Sequence, residues 1–333
     1  MTHDTVLNDK RVLVTGGSGF VGSHIVDLLL AEGCREVVAV DNMVRGRPQN
    51  LAAALNDPRV TLVEGDIRDA VLMDRLVAGT DTVFHQAALR ITHCAAEPDA
   101  AMQVMVQATY DLLRLCQRHA VRKVVMASSA SVYGMAGHFP TTEAEPPYDN
   151  RTLYGAAKAF GEGLLRSFND MFGLDYVALR YFNVYGPRMD LTGRYTEVMV
   201  RWMERIAAGQ PPIIFGDGQQ TMDLVHVRDV ARANIMAAGH PASDVVFNVG
   251  TGVETSLLDL AALMARAMGR PDLTPEFAAA RSVNPVPRRL ASVDSAAEVL
   301  GFRAGIEVES GLRELIAWWQ AENADTQRLE AAQ

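Results

Sequence analysis

Short apolar runs rich in β-branched residues recur along the chain at 11–15, 36–41, 60–64, 81–85, 123–128, 176–180 and 245–249. Most are continuous rather than alternating in polarity, the pattern of strands covered on both faces in a parallel sheet. Between them, segments 21–32, 101–119 and 154–172 carry apolar residues at helical spacing. Strand alternating with helix predicts an α/β fold, a doubly wound parallel sheet of the Rossmann type about seven strands wide. After Arg180 the rhythm changes. Residues 183–195 are rich in Gly, Pro and Arg, 210–220 read QPPIIFGDGQQ, and 255–320 show two helical patterns flanking the Pro-rich 284–289. These segments predict a smaller C-terminal substrate-binding lobe. The expected division is 1–182 plus about 222–250 for the dinucleotide-binding unit, about 183–221 plus 251–322 for the second lobe, and a frayed tail at 323–333.

Composition narrows the choice of partners. A net charge of −9 without a basic cluster argues against nucleic acid and anionic membrane. Three widely spaced cysteines, Cys34, Cys94 and Cys116, make no disulfide framework and suit a reducing cytoplasm. His93 beside Cys94, and Cys116 near His119, lack further ligand spacing, so they read as packing residues and no metal is expected. The polar start of the chain lacks a secretory pattern, and no run of about 20 apolar residues occurs. Cytoplasmic location is the expectation.

Directly after the first strand stands Thr15-Gly16-Gly17-Ser18-Gly19-Phe20-Val21-Gly22, opening a helix. Glycines at 16, 19 and 22 permit a tight turn, close backbone approach to a pyrophosphate and close helix-to-strand packing, with the helix N-terminus facing the anion. The second strand ends at Asp41, where a carboxylate can accept both ribose hydroxyls and would repel a 2′-phosphate, so NAD is favoured. Arg45 and Arg47 close behind leave NADP open. Asp66 and Ile67 end the third strand where an adenine edge can bind, and Gln86, Ala87 and Ala88 follow the fourth, where small residues allow backbone near a nicotinamide.

Tyr154 and Lys158 lie four apart, one turn of helix on one face. A lysine near a tyrosine favours phenolate, which makes the pair a candidate base near neutral pH. Ser128-Ser129-Ala130-Ser131-Val132-Tyr133-Gly134 sits at the carboxyl end of the fifth strand, where open α/β sheets bind ligands.

With these three motifs in this order, the chain resembles the extended short-chain dehydrogenase/reductase family, and within it the nucleotide-sugar epimerases and dehydratases, from Arg11 to about Trp319. The resemblance implies Tyr154 as catalytic base, Lys158 orienting it and holding the nicotinamide ribose, and Ser129 bonding the sugar hydroxyl, with Ser131 assisting. It places NAD against Gly16, Ser18, Gly19, Phe20, Val21, Gly22, Asp41, Asn42, Asp66, Ile67, Gln86, Ala87, Ala88, Tyr154, Lys158 and Tyr181. Asn183, within Tyr181-Phe182-Asn183-Val184-Tyr185-Gly186-Pro187-Arg188, would contact the sugar diphosphate. Ile214, Phe215, Gln220 and Arg288 complete the implied substrate set.

The implied chemistry is oxidation of a nucleotide-sugar hydroxyl at C4 and return of the hydride to the other face, an epimerisation that regenerates the cofactor. Dehydratases of the family carry Asp-Glu directly after the catalytic hydroxyl residue, where this chain has Ala130 and Ser131. Without those carboxylates, elimination lacks its proton carriers. Dehydration, decarboxylation or net reduction by a relative of the same type, and a non-catalytic NAD(P)-binding sensor, are the alternatives. One departure stands out: Met222-Asp223 replaces an arginine-aspartate pair common in relatives, so Arg288, Arg289 or Arg281 would have to supply the charge. His226 reads as structural. The resemblance also implies a homodimer through a four-helix interface made by 101–119 and 154–172.

Overall fold

The computed structural model describes residues 6–191, 198–279 and 286–331. The first half of the chain alternates strand and helix: β1 (Arg11–Thr15), α1 (Phe20–Ala31), β2 (Glu36–Asp41), β3 (Val60–Glu64), α2 (Ala70–Val77), β4 (Thr82–His85), α3 (Ile91–Ala96), α4 (Pro98–Ala101), α5 (Ala108–Arg118), β5 (Lys123–Ser129), α6 (Leu153–Phe172) and β6 (Asp175–Tyr181). The second half adds β7 (Asn183–Tyr185), α7 (Val198–Ala207), β8 (Ile213–Phe215), β9 (Thr221–His226), α8 (Val227–Gly239) and β10 (Val245–Val249). β11 (Glu254–Ser256), α9 (Leu257–Ala267), β12 (Glu276–Ala278), α10 (Asp294–Leu300) and α11 (Val308–Ala331) follow.

Seven strands form one parallel sheet in the order β10-β6-β5-β4-β1-β2-β3. The order reverses between β1 and β4, whose succeeding loops part and open a crevice at the carboxyl ends of the strands. Valines and leucines cover both faces. Ile25, Leu29, Ala231 and Ile235 of α1 and α8 pack on one side, and Leu112, Leu113, Leu165 and Phe168 of α5 and α6 on the other. β9 joins β7 and β11 in a three-stranded sheet, and β8 pairs with β12. Trp202, Met203, Leu260, Met264, Leu315 and Ile316 fill a separate core beneath these small sheets. No helix among the described residues is long and apolar enough to cross a membrane.

Three local expectations change. The single helix expected over 101–119 is wound as a π-turn at Met102–Gln107 between α4 and α5. The turn slips the register but keeps Val104, Met105, Ala108 and Leu112 inward, so the apolar spacing hides it. The described residues of region 255–320 hold three helices rather than two. α10 has seven residues and ends at Gly301, whose φ of 67° stops the helix, so it is too short to display a periodicity. α11 continues past Glu322 to Ala331, through the segment expected to fray. Residues 192–195 of the loop-like stretch, Arg281, the first part of the Pro-rich segment and the last two residues lie outside the described residues.

Candidate active site

The chain leaves β1 through the glycine turn and enters α1. Gly16 adopts a φ of 67° and donates its N–H to Val40 O at 2.8 Å. A Cβ there would stand 2.9 Å from the Ala87 nitrogen, and one at Gly22 would strike the Gly16 carbonyl. Only glycine lets the three segments close this tightly. α1 starts at Gly19 with no capping side chain and no acid in its first turn. Its opening N–H groups are therefore left for an anion. Asp41, buried at the end of β2, accepts from Ser18 N at 3.2 Å and Met43 N at 3.0 Å and so fixes the turn. Asp66 accepts from Arg68 at 2.8 Å and from Asn42 at 3.0 Å, which holds its carboxyl well below the usual range. Beyond β4, Gln86 bonds Tyr181 at 3.0 Å and Asn234 at 3.1 Å, and Ala87 N donates to Thr15 Oγ1 at 3.2 Å.

Thr152 caps α6 by accepting from Gly155 N at 3.1 Å, which aims Tyr154 and Lys158 at the end of β5. Ser129 and Tyr154 both line the cavity, and Lys158 Nζ lies 5.8 Å from the centre of the Tyr154 ring. Burial pushes the phenol up, opposed by the Ser129 hydroxyl and by the charges of Arg45 and Arg289. Lys158 donates to Ala127 O at 2.6 Å, and burial lowers its own ammonium to about 8. Favourable charges on the phenol come from two cavity-lining arginines, Arg45 and Arg289.

One cavity of about 1320 Å³ runs across both halves of the molecule. Its wall takes in Gly16, Gly19, Phe20, Val21, Gly22, Asp41, Asn42, Asp66, Ile67, Gln86, Ala87 and Ala88 together with Ser129, Ser131, Tyr154, Lys158, Tyr181, Asn183 and Phe215. Asn183 also carries a buried Oδ1 with no hydrogen-bond partner among the described residues.

Four expected residues lie outside that wall, for local reasons. Ser18 is wholly buried behind the turn, its Oγ against Met43 Sδ at 3.4 Å. Ile214 is fully buried, because in β8 its neighbours Ile213 and Phe215 take the cavity face and alternation turns it into the small core. Gln220 donates to Phe215 O at 3.0 Å and holds the turn. Arg288 forks onto Glu254 at 2.7 and 2.8 Å and covers the Phe139 ring, because 287–289 run extended beside Thr221. That same alternation sends Arg289 into the cavity, where burial lowers the pKa of its guanidinium to about 10. Asp223, wholly buried, anchors the segment by accepting from Ala291 N at 3.2 Å and from Thr251 N and Gly252 N at 2.7 and 2.9 Å. Met222 faces the cavity in place of the family arginine.

The sequence reading missed Arg90, Arg201 and Arg205, which also line the cavity. Arg201 and Arg205 stand one turn apart on α7, and that spacing in an amphipathic stretch is the signal that could have found them. His226 is buried with Tyr185 edge-on to its ring, and its Nδ1 caps α8.

A dinucleotide turn, a Ser-Tyr-Lys cluster and a deep two-lobed cavity define a nicotinamide-dependent sugar-modifying enzyme. The profile of the NAD dependent epimerase/dehydratase family matches residues 12–250, and the chain belongs to that family and uses NAD. It is similar to a putative UDP-glucose 4-epimerase of Methanocaldococcus jannaschii, 33% identical over 94% of this chain and 99% of that one. A UDP-glucose 4-epimerase of Mycolicibacterium smegmatis is 37% identical over 93% and 98%. Among solved structures, a UDP-N-acetylglucosamine 4-epimerase from Methanobrevibacter ruminantium in complex with UDP-N-acetylmuramic acid superposes with a TM-score of 0.88 at 34% identity, covering 95% and 99% of the two chains.

Proposed function

We propose that the protein epimerises a UDP-sugar at C4 through a transient 4-keto intermediate. The observation that carries this reading is the convergence of Ser129, Tyr154 and Lys158 on the cavity that also receives the glycine turn. Tyr154 takes the proton of the sugar hydroxyl and later returns it, while Ser129 holds that hydroxyl and the phenol together. Lys158, with one N–H engaged by Ala127, has two further donors for ribose hydroxyls. Bound NAD supplies the hydride acceptor and donor. Asn183 and Arg289 hold the diphosphate, Arg289 in place of the cation missing at Met222. Asp41 meets the adenine ribose, and Arg47, already paired with Glu322 at 2.7 Å, is committed elsewhere, which favours NAD over its phosphorylated form.

Epimerisation is preferred to dehydration because Ala130 and Ser131, not carboxylates, occupy the two positions that follow the catalytic hydroxyl of Ser129. Dimerisation through α5 and α6 is supported by Tyr110, Phe160, Met171 and Phe172, all exposed on those helices. Three buried, unpaired cysteines support a reducing cytoplasm. The test is incubation with a panel of UDP-sugars followed by NMR. Inversion at C4 without net NADH is expected. Deuterium entering C5, or NADH formed in step with product, would overturn the assignment.

A further inference from the structure

Behind the catalytic cluster lies a buried polar network that the chemistry above does not use. Glu162 is one turn beyond Lys158 and two beyond Tyr154, on the same stripe of α6. Its carboxylate receives Arg180 of β6 as a fork, Nε at 2.9 Å and Nη2 at 2.7 Å, with both side chains about nine-tenths buried. It also accepts a short hydrogen bond from Ser128 Oγ on β5. Ser128 and Arg180 are register partners across β5 and β6, and the next pair along is Ser129 and Tyr181. Arg180 extends the network through Nη1 to Tyr133 OH at 2.9 Å and to Glu143 O at 3.0 Å. Tyr133 donates to Asn248 of β10 at 2.6 Å.

We propose that Glu162 is a positioning residue for the redox site: its carboxylate ties the end of β5 and β6 to the helix that bears Tyr154 and Lys158, and so holds Ser129 in its place facing the phenol across the cavity wall. The inference deepens the function proposed above and rests on it. A sheet and a helix packed by apolar contacts alone can slide by fractions of an ångström, whereas a bidentate charged pair fixes both distance and angle. Ser128 is the link that passes this constraint to Ser129, because the two are adjacent in one strand. A carboxylate has room for three such donors, and all three here come from elements that meet at the catalytic hydroxyl.

The test replaces both members of the pair, Glu162→Gln with Arg180→Gln, which leaves net charge unchanged so that any effect on Tyr154 reports geometry. The groups facing Tyr154 stay in place: Lys158 on α6, Cys94 on α3, Tyr181 on β6, and Arg45 and Arg289 from the loops. Tyrosinate absorbance of the NAD-loaded protein is titrated against pH, with the matching Tyr154→Phe protein subtracted. Withdrawal of the Ser129 hydroxyl from the phenol raises the Tyr154 midpoint by about one pH unit. With the substrate found by the sugar panel, turnover falls about tenfold or more while KM stays within about threefold, as expected for lost orientation. Ser128→Ala, which keeps the ion pair, gives a smaller shift in the same direction and decides the matter if the double variant does not fold. A midpoint and turnover equal to the parent's overturn the proposal, as does a fall in thermal stability with both unchanged. Failure of the whole sugar panel would sink the substrate reading, while the titration, which needs no sugar, would still report on Glu162.

Discussion

At the scale of single residues, parity decides which of two neighbours works. Arg288 and Arg289 differ by one position in an extended segment, and one is spent on Glu254 while the other enters the cavity. Arg289→Ala is therefore expected to weaken UDP binding about 10- to 100-fold, the loss of a charge-assisted bond, and Arg288→Ala to leave it within about threefold. Calorimetric titration separates the two. Sequence alone left this pair open, since alternation has no phase until the strand it lies against is known. Ile214 and Phe215 show the same ambiguity. Tyr154 and Lys158 were legible because a helix fixes their relation without any partner. Tyr154→Phe should lower turnover by about 10² to 10⁴ with NAD still bound, read by initial rates. Because burial favours the neutral amine, Lys158 is charged below about pH 8 and loses its proton above it. Turnover should decline on the alkaline side with a midpoint near that value, and Lys158→Met should remove that limb of the rate profile.

At the scale of elements, the glycine turn shows what a short motif can fix. Its spacing predicted the strand, the turn and the helix, since each glycine answers a backbone contact rather than a distant side chain. Replacing Gly22 with alanine would drive a methyl group into the Gly16 carbonyl, an overpacking that costs about 1–3 kcal/mol. NAD affinity should fall about tenfold or more, measurable by fluorescence titration. The elements that escaped were those whose patterns are short or interrupted. α7 sits between loop-like stretches, α10 makes two turns, and the π-turn before α5 disturbs the winding without exposing an apolar residue.

At the scale of the whole molecule, the seven-stranded sheet was legible because burial on both faces writes an uninterrupted apolar run into each strand. The second lobe was legible mainly as a change of rhythm, since its strands of three residues carry too little pattern to read. Association is the prediction that belongs here. Phe160 and Met171, 51% and 67% exposed, lie about three turns apart on one side of α6. Sedimentation should give a dimer, and Phe160→Glu should shift it toward monomer at micromolar concentration.

The path of the chain has a bearing on how such enzymes can be recombined. It leaves the large sheet at β6, visits the small sheets, returns for α8 and β10, and departs again for β11. Exchanging the small sheets with those of a cousin cannot be done with one splice. A chimaera needs a junction on each side of α8 and β10, and Asp223 must travel with its donors, Thr251 and Gly252 just past β10 and Ala291 farther on.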